Sequence, residues 1–494
     1  MRVKRNMKNP MNNELNDELN YFRFKQIHSD RYLLTNDVGS HLFLNKDEFV
    51  QLRSDPACVS GPLRERLLDK GFLFEGGDID GFIHEYRTKH DFLHRGPGLH
   101  ILVVTLRCNH TCSYCQAGRK GMDRSNYDMD LKTAEETVDF ILNSGARDLC
   151  IEFQGGEPLA NFDTVRHVIA YTQAKNTDKN IIFSIVTNLS LMDDQKRSFL
   201  LENDVAICTS LDGPEEIHNK HRVLTAGNSF RKTVDQIRRI SAELDKKDRE
   251  GKTYGRLNAL PTISKDILRD HKSLVDLYVD LGFQTIHLRP VNPFGFSEGR
   301  LNGSQYTATQ FLAFYRRCLD YILELNESGT VFLEKTALIF LQKILTRTDP
   351  GFMDIRSPCG AGIGQLAYNY DGRIFTCDEG RMVDASGDNV FCLGNVSDSS
   401  HQQVVTNGVV RCVGIASCLE GLPGCHDCVY HPYCGVCPVY NYVVHGSIFG
   451  RPFNERCRIM SGIQDYIFER LEEKSDIFSS WVTLSNRTPP KNYD

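Results

Sequence analysis

Between residues 98 and 290 the hydrophobic positions keep changing period. Short continuous apolar runs at Leu99–Leu106, Leu149–Phe153, Ile181–Thr187, Val205–Ser210, Leu257–Ile263 and Thr285–Leu288 read as strands buried on both faces. Between them, Leu131, Ala134, Val138 and Ile141 follow helical spacing, as do Leu274, Tyr278 and Leu281, closed by Gly282. Six strand–helix units in series imply a parallel sheet, open or curled into part of a barrel. Chemistry in such sheets sits at the carboxyl ends of the strands.

A smaller αβ unit is expected ahead of this series, over residues 1–95. Residues 1–20 read as frayed. Tyr21–Ile27 and Arg31–Asn36 read as strands around a His28-Ser-Asp turn, followed by a third strand at Ser40–Leu44. Asn45 and Glu48 form a capping box for the next helix, and Pro62–Lys70 reads as another, stopped at Gly71. The strand–helix series occupies 96–300, with Asp245–Gly255 expected as a solvated loop. A two-helix bridge follows over 301–356, then a cysteine-rich segment over 357–460. A helix near Ile459–Glu473 leads to a polar tail, the two making up 461–494.

The composition removes several function classes. At 494 residues, 40% hydrophobic and 25% charged, the chain has room for two to four packed domains and is not dominated by disorder. A net charge of −6, with no basic aromatic stripe, argues against a nucleic-acid partner. No apolar run approaches the roughly 18 residues of a membrane helix. The first twenty residues lack the apolar core of a signal peptide, so the expected location is cytoplasmic. In that compartment the 17 cysteines stay reduced, which favours metal ligands or catalytic thiols over disulfides.

Those cysteines are clustered. Cys108, Cys112 and Cys115 lie in one loop directly after the first strand, and ten more fall between Cys359 and Cys457. Three thiolates at this spacing suit a loop wrapped around an iron–sulfur cube, supplying three of four ligands and leaving one iron open. Structural zinc is the alternative, but it wants four ligands, and His110 is tightly placed to be the fourth.

The Cys-x3-Cys-x2-Cys loop, with Tyr114 just before the last cysteine, resembles the radical S-adenosylmethionine (SAM) superfamily. The resemblance implies a partial (β/α)6 barrel of TIM type and a [4Fe-4S] cluster whose open iron chelates SAM. An electron from that cluster then cleaves SAM to a 5′-deoxyadenosyl radical. Further motifs recur in order. Gly155-Gly156-Glu157-Pro158 is similar to the family's GGEP, which receives the SAM amino group. Thr187-Asn188 ends the third strand, where the family contacts the ribose. Ser210 and Arg222 correspond to the pair that holds the SAM carboxylate, and the Tyr114 backbone would lie by the adenine. Considered without the family, Arg222 reads equally well as a surface arginine, and His218 and His221 as solvated.

The distal cysteines resemble a SPASM domain, which carries two auxiliary [4Fe-4S] clusters. By that resemblance Cys425, Cys428, Cys434 and Cys457 would ligate one cluster, and Cys359, Cys377 and Cys437 the one nearer SAM. The pattern departs twice. Cys434 and Cys437 are separated by two residues instead of three, and no cysteine stands just upstream of Cys359. The fourth ligand of the nearer cluster is therefore open, substrate-supplied, or one of Cys392, Cys412 and Cys418. Asp378, next to Cys377, corresponds to an aspartate that takes a substrate proton in sulfatase-maturing relatives. As a residue met without that resemblance, it is equally a helix-capping carboxylate.

SPASM-bearing members mostly modify peptides, and the N-terminal unit resembles winged-helix-like leader-recognition modules that add a peptide strand to a sheet edge. Tyr21-Phe-Arg-Phe, Leu33-Leu-Thr-Asn-Asp37, Leu288-Arg-Pro-Val-Asn-Pro-Phe-Gly295 and Cys434-Gly-Val-Cys-Pro-Val-Tyr-Asn441 resemble the B-type radical SAM maturase of the His-Xaa-Ser repeat system. That resemblance implies a precursor peptide substrate, a second radical SAM maturase and an external flavodoxin- or ferredoxin-type electron donor. The expected function is thus crosslinking or oxidation of a ribosomal peptide. The alternatives are a sulfatase-type maturase that forms formylglycine, and a non-enzymatic zinc-ribbon binding protein.

Overall fold

The strand Leu99–Thr105 is buried along its whole length and forms the axis of the molecule. In this computed structural model, which describes residues 18–75, 79–249, 257–294, 306–450 and 453–487, it has parallel partners on both sides. On one side lie Asp148–Gly155, Asn180–Thr187, Ala206–Ser210 and Leu257–Leu260, in that order and all parallel. On the other lie Gln365–Tyr368, Arg373–Phe375 and Cys392–Asn395. One eight-stranded sheet therefore carries strands from the strand–helix series and from the cysteine-rich segment. The first strand is apolar on both faces because both are covered.

The remaining barrel strands are short. Thr262–Ile263 pairs with Arg289–Pro290, and Thr285–Ile286 with Leu333–Glu334, all in parallel. Pro261 and Pro290 supply no N–H, which limits the ladder at this edge. Helices cover the outside of the sheet. Leu131–Leu142, capped by Asp130, buries Ala134, Val138 and Ile141, and His271–Asp280 buries Leu274 and Tyr278. The Tyr278 hydroxyl donates to the Leu211 carbonyl at 2.7 Å, fastening that helix to the end of the fourth strand.

Two local expectations change. Ser229–Arg249 is one helix, so residues 245–249 continue it as a mixed-charge face; residues 250–255 of the expected loop lie outside the described residues. Residues 1–17 and Gly295 lie outside them as well. At the other end Glu455–Arg470 is followed by a further helix, Ser475–Arg487, where a polar tail was expected. Its buried face is narrow: Phe478 and Trp481 are fully covered, and the Trp481 indole N–H donates to Asn326. The bridging helices are Ala308–Glu327 and Lys335–Leu345. No helix among the described residues is long and apolar enough to cross a membrane.

The N-terminal unit holds a three-stranded antiparallel sheet, Arg23–His28, Arg31–Thr35 and His41–Asn45, with the Asn45–Glu48 capping box formed. Its helix Asp80–Lys89 buries no residue completely, which is why no apolar periodicity marks it in the sequence. The unit is fastened to the distal cysteine loop. Arg23 donates from Nε to the His426 carbonyl at 2.6 Å and from Nη1 to Asp37 at 2.7 Å. Thr35 donates to the Val429 carbonyl, Lys89 to that of Pro432, and the Tyr433 hydroxyl to Gly39. Because Arg23 is almost fully buried, removing it leaves carbonyl and carboxylate acceptors without a donor. Arg23→Ala should lower stability by about 2 kcal/mol, read as a lower thermal-unfolding midpoint, with the secondary structure seen by circular dichroism retained at room temperature.

Candidate active site

The loop after the first strand is pinned from two sides. His110–Cys112 pairs antiparallel with Arg222–Leu224, placing Cys112 opposite Arg222. The Cys108 amide donates to the Lys120 carbonyl and the Cys115 amide to that of Cys112. Cys108, Cys112 and Cys115 thereby line one cavity of about 480 Å³ at the carboxyl ends of the strands. Burial pushes the Cys112 thiol up to about 11, and burial followed by the charge of Glu157 pushes Cys108 up further. Gathering three thiolates here is costly unless cations neutralise them, as a metal cluster does. Among the described residues no three His, Cys, Asp or Glu side chains converge as ligands of a single ion. Three thiols from one loop are the donor set of an iron–sulfur cube with an open iron, whereas structural zinc takes four ligands.

Asp212, fully buried after the fourth strand, organises the cavity wall. It accepts from Arg222 Nε at 2.9 Å and Nη2 at 3.1 Å, from the Tyr114 hydroxyl, and from the Thr262 amide at 3.0 Å. Burial alone would raise its carboxyl, but the Arg222 guanidinium, the His218 charge and the hydrogen bonds from Arg222 and Tyr114 together hold it below the usual range. Arg222 is accordingly no surface arginine. Tyr114, Ser210 and Arg222 all line the cavity. His218 and His221 are buried too, contrary to the solvated reading. His218 shares the Ser229 hydroxyl with His110, and His221 joins Ser113 to Asp266. Neither lines the cavity, so both act as struts for the cysteine loop.

The Gly155-Gly156-Glu157 turn works differently from its expected role. A Cβ on Gly155, at φ +145°, would lie 2.0 Å from the Thr105 carbonyl oxygen, and one on Gly156 would lie 2.4 Å from that of Arg107. The close approach these glycines permit is to the chain's own cysteine loop. Their backbone still lines the cavity. Glu157 does not. Its carboxylate accepts from Thr187 Oγ1 at 2.6 Å, the Asn188 amide at 2.8 Å and the Leu159 amide at 3.1 Å, and burial raises it to about 7. Of the two acceptors expected for an ammonium, the Glu157 carboxylate or nearby carbonyls, the carboxylate is engaged in stapling the second strand end to the third, setting where Thr187 and Asn188 face the cavity. Asn188 also reaches Asn109 in the cysteine loop, a partner with no motif to announce it.

The distal cysteines lie in two neighbourhoods. Burial, and then the charges of Cys434, Cys428 and Cys457, push the Cys425 thiol up to about 12. Cys359, Cys377 and Cys437 sit in one packed apolar cluster with Val413 and Tyr440. Asp378 lines the main cavity, where its carboxylate accepts from Arg381 Nε at 2.9 Å. Of the three cysteines considered as a further ligand, Cys392 donates to the Gly394 carbonyl, Cys418 is held at Glu420, and Cys412 is exposed.

Comparison with known proteins agrees with this geometry. Residues 102–287, within the strand–helix series, match the model of the Radical SAM superfamily. A radical SAM cyclopropyl synthase, TigE, from Paramaledivibacter caminithermalis is 23% identical over 77% of this chain and 81% of its own. A cysteine-type anaerobic sulfatase-maturating enzyme from Clostridium novyi is 24% identical over 68% and 85%. An uncharacterized Methanocaldococcus jannaschii protein is 38% identical, but the match spans only 23% of this chain and 38% of that one. Among solved structures, anSMEcpe with bound AdoMet aligns at a TM-score of 0.64 and 22% identity, covering 76% of this chain and 99% of its own. Streptococcus suis SuiB bound to the precursor peptide SuiA aligns at 0.52 and 15%, covering 87% and 98%.

Glu157 offers a direct check on the staple. A glutamine there sets its own N–H groups against the Asn188 amide or Thr187 hydroxyl, so Glu157→Gln should weaken SAM binding about tenfold, near 1.4 kcal/mol, measured by anaerobic calorimetry.

Proposed function

We propose that this chain is a radical SAM maturase that modifies a ribosomally made peptide, by crosslinking or side-chain oxidation. The observation that carries the reading is that Cys108, Cys112 and Cys115 share one cavity with Ser210, Arg222 and Asp378. With a [4Fe-4S] cluster and SAM bound, such a site supplies a 5′-deoxyadenosyl radical, which abstracts a hydrogen atom from a positioned C–H bond.

The chain's residues then have separate tasks. Arg222, oriented by Asp212, offers positive charge to the SAM carboxylate beside Ser210. The Gly155 and Gly156 backbone meets the amino group, Thr187 and Asn188 meet the ribose, and the Tyr114 backbone lies by the adenine. Asp378, kept in place by Arg381, is the candidate proton acceptor on the substrate side. Cys425, Cys428, Cys434 and Cys457 would hold one auxiliary [4Fe-4S] cluster, with Cys359, Cys377 and Cys437 holding another. Both would accept the electron that a substrate-centred radical loses, and an external flavodoxin- or ferredoxin-type donor would supply the electron for the SAM-binding cluster.

The N-terminal αβ unit, which a docked precursor peptide would use, favours a precursor peptide over a sulfatase. The folds themselves support both readings: SuiB, seen with its precursor peptide, spans 87% of this chain at a TM-score of 0.52, and anSMEcpe 76% at 0.64. The sulfatase-type reading keeps support from the C. novyi relative, which this chain matches over 85% of its length. A His-Xaa-Ser repeat peptide and a partner maturase remain the specific form of the proposal. Cys112→Ala should abolish dithionite-driven 5′-deoxyadenosine formation while the distal cysteines keep their iron, checked by chromatography and iron analysis. Persistent 5′-deoxyadenosine would contradict the reading. Mass spectrometry of peptides encoded beside the gene, co-expressed with the enzyme, separates peptide maturation from formylglycine formation.

A further inference from the structure

The main cavity does not end at the cysteine loop. It runs down the inside of the barrel to Leu99 and Ala206, which begin their strands. Outside that end lies a groove of about 730 Å³, between the helix Asp80–Lys89 of the N-terminal unit and the segments around Gly98, Arg147 and Arg347. Among the described residues, Met353 alone lines both spaces. Bare glycines make its slot: a Cβ on Gly360 or Gly364 would lie 2.6 or 2.8 Å from its sulfur. An unbranched thioether can swing out of such a slot while the backbone stays in place.

The groove is basic on a chain whose net charge is −6; lysine and arginine outnumber aspartate and glutamate on its walls by five to three. Of those carboxylates, Glu85 is paired with Arg347 at 3.0 Å and Asp148 accepts from Asn180 at 2.8 Å. Arg147 is exposed on the rim with no ion pair among the described residues. Arg356 also lines the groove, although it is only 5% exposed. Its guanidinium lies 4.2 Å from the centre of the Phe92 ring and rests against the Met353 sulfur. Its Nε has no hydrogen-bond partner among the described residues, and its ion-pair partner Asp349 stands 3.6 Å from Nη1. A buried guanidinium short of acceptors is a seat for a carboxylate.

We infer that this groove receives an acidic, extended stretch of the substrate peptide, with one carboxylate seated on Arg356, and that Met353 is the gate from groove to lumen. The inference rests on the peptide reading under the proposed function. A carboxylate that draws Arg356 towards itself also draws it off the Met353 sulfur, so occupancy and opening are coupled. That coupling favours a substrate over an acidic electron-carrier protein, which needs no path into the lumen. The strand Leu99–Thr105 separates the groove from the cysteine loop by seven residues, about 23 Å. The modified residue therefore stands about seven extended residues from the acidic stretch.

The test uses the reconstituted, SAM-loaded full chain and a short fluorescein-labelled peptide of alternating Glu and Gly. Anisotropy at low salt should show saturable binding that a Lys-Gly counterpart lacks. Arg147→Glu and Arg356→Gln should each weaken it about fivefold, and Arg239→Glu, on the helix Ser229–Arg249, should not. Uncoupled 5′-deoxyadenosine formation should be unchanged in Arg147→Glu. Cys208 lines the lumen, so its alkylation by iodoacetamide, mapped by mass spectrometry, reads the gate. It should quicken several-fold in Met353→Ala and in Arg356→Gln, and keep the parent rate in Met353→Leu. Absent binding, equal binding of the Lys-Gly peptide, or indifference to Arg147 and Arg356 would overturn the groove assignment. Binding of a flavodoxin there without binding of the peptide would give the groove to an electron carrier instead. Unchanged Cys208 labelling in both variants would overturn the gate. If the probe binds as expected but no peptide encoded beside the gene is modified, the maturase reading fails and the acidic-peptide site stands. If such a peptide is modified and the probe does not bind, the maturase reading stands and the groove assignment fails.

Discussion

A single buried carboxylate fixes the working face of this molecule. Asp212 draws Arg222, Tyr114 and the Thr262 amide to one point, joining the cysteine loop, the end of the fourth strand and the start of the next barrel segment. A buried carboxylate is tolerable only when fully paired, and here Arg222 meets it through two nitrogens. Because Arg222 also sits opposite Cys112 across a short antiparallel ladder, the same pairing sets the position of the Cys112 thiol. The Glu157 staple does the equivalent work between the second and third strands.

The second constraint is the sheet itself. Gln365–Tyr368 lies parallel against the first barrel strand, and the chain between it and Arg373–Phe375 returns to deliver Cys377 and Asp378 beside the cavity. The strand pairing that closes this side of the sheet thus brings two cysteine regions, more than two hundred residues apart in sequence, to one chamber. The N-terminal unit is tied to the outer cysteine loop by Arg23, Thr35 and Lys89. A truncation through residue 90 would therefore strip hydrogen-bond partners from that loop and could not report on docking alone.

Much of this was legible in advance where local chemistry decides the outcome. Continuous apolar runs marked the central strands, and the Asn45–Glu48 box marked a helix start. Long-range pairing was not legible. Nothing in the order Ser210-Leu-Asp-Gly-Pro says that Asp212 will meet Arg222 and Tyr114, and Glu157 looked like a ligand contact because its internal partners come from another strand. His218 and His221 read as solvated for the same reason: their burial is made by Ser229, Ser113 and Asp266, each from a separate element. The last helix was hidden because only Phe478, Trp481 and Val482 mark its buried side.

The central claim is that the Cys108, Cys112 and Cys115 thiolates hold an iron–sulfur cube with one iron open to SAM. EPR of the anaerobically purified, dithionite-reduced chain, recorded before and after adding SAM, tests it most directly. The account predicts a reduced-cluster signal whose shape changes when SAM is added. A protein that is colourless and EPR-silent, or whose signal is indifferent to SAM, would contradict it.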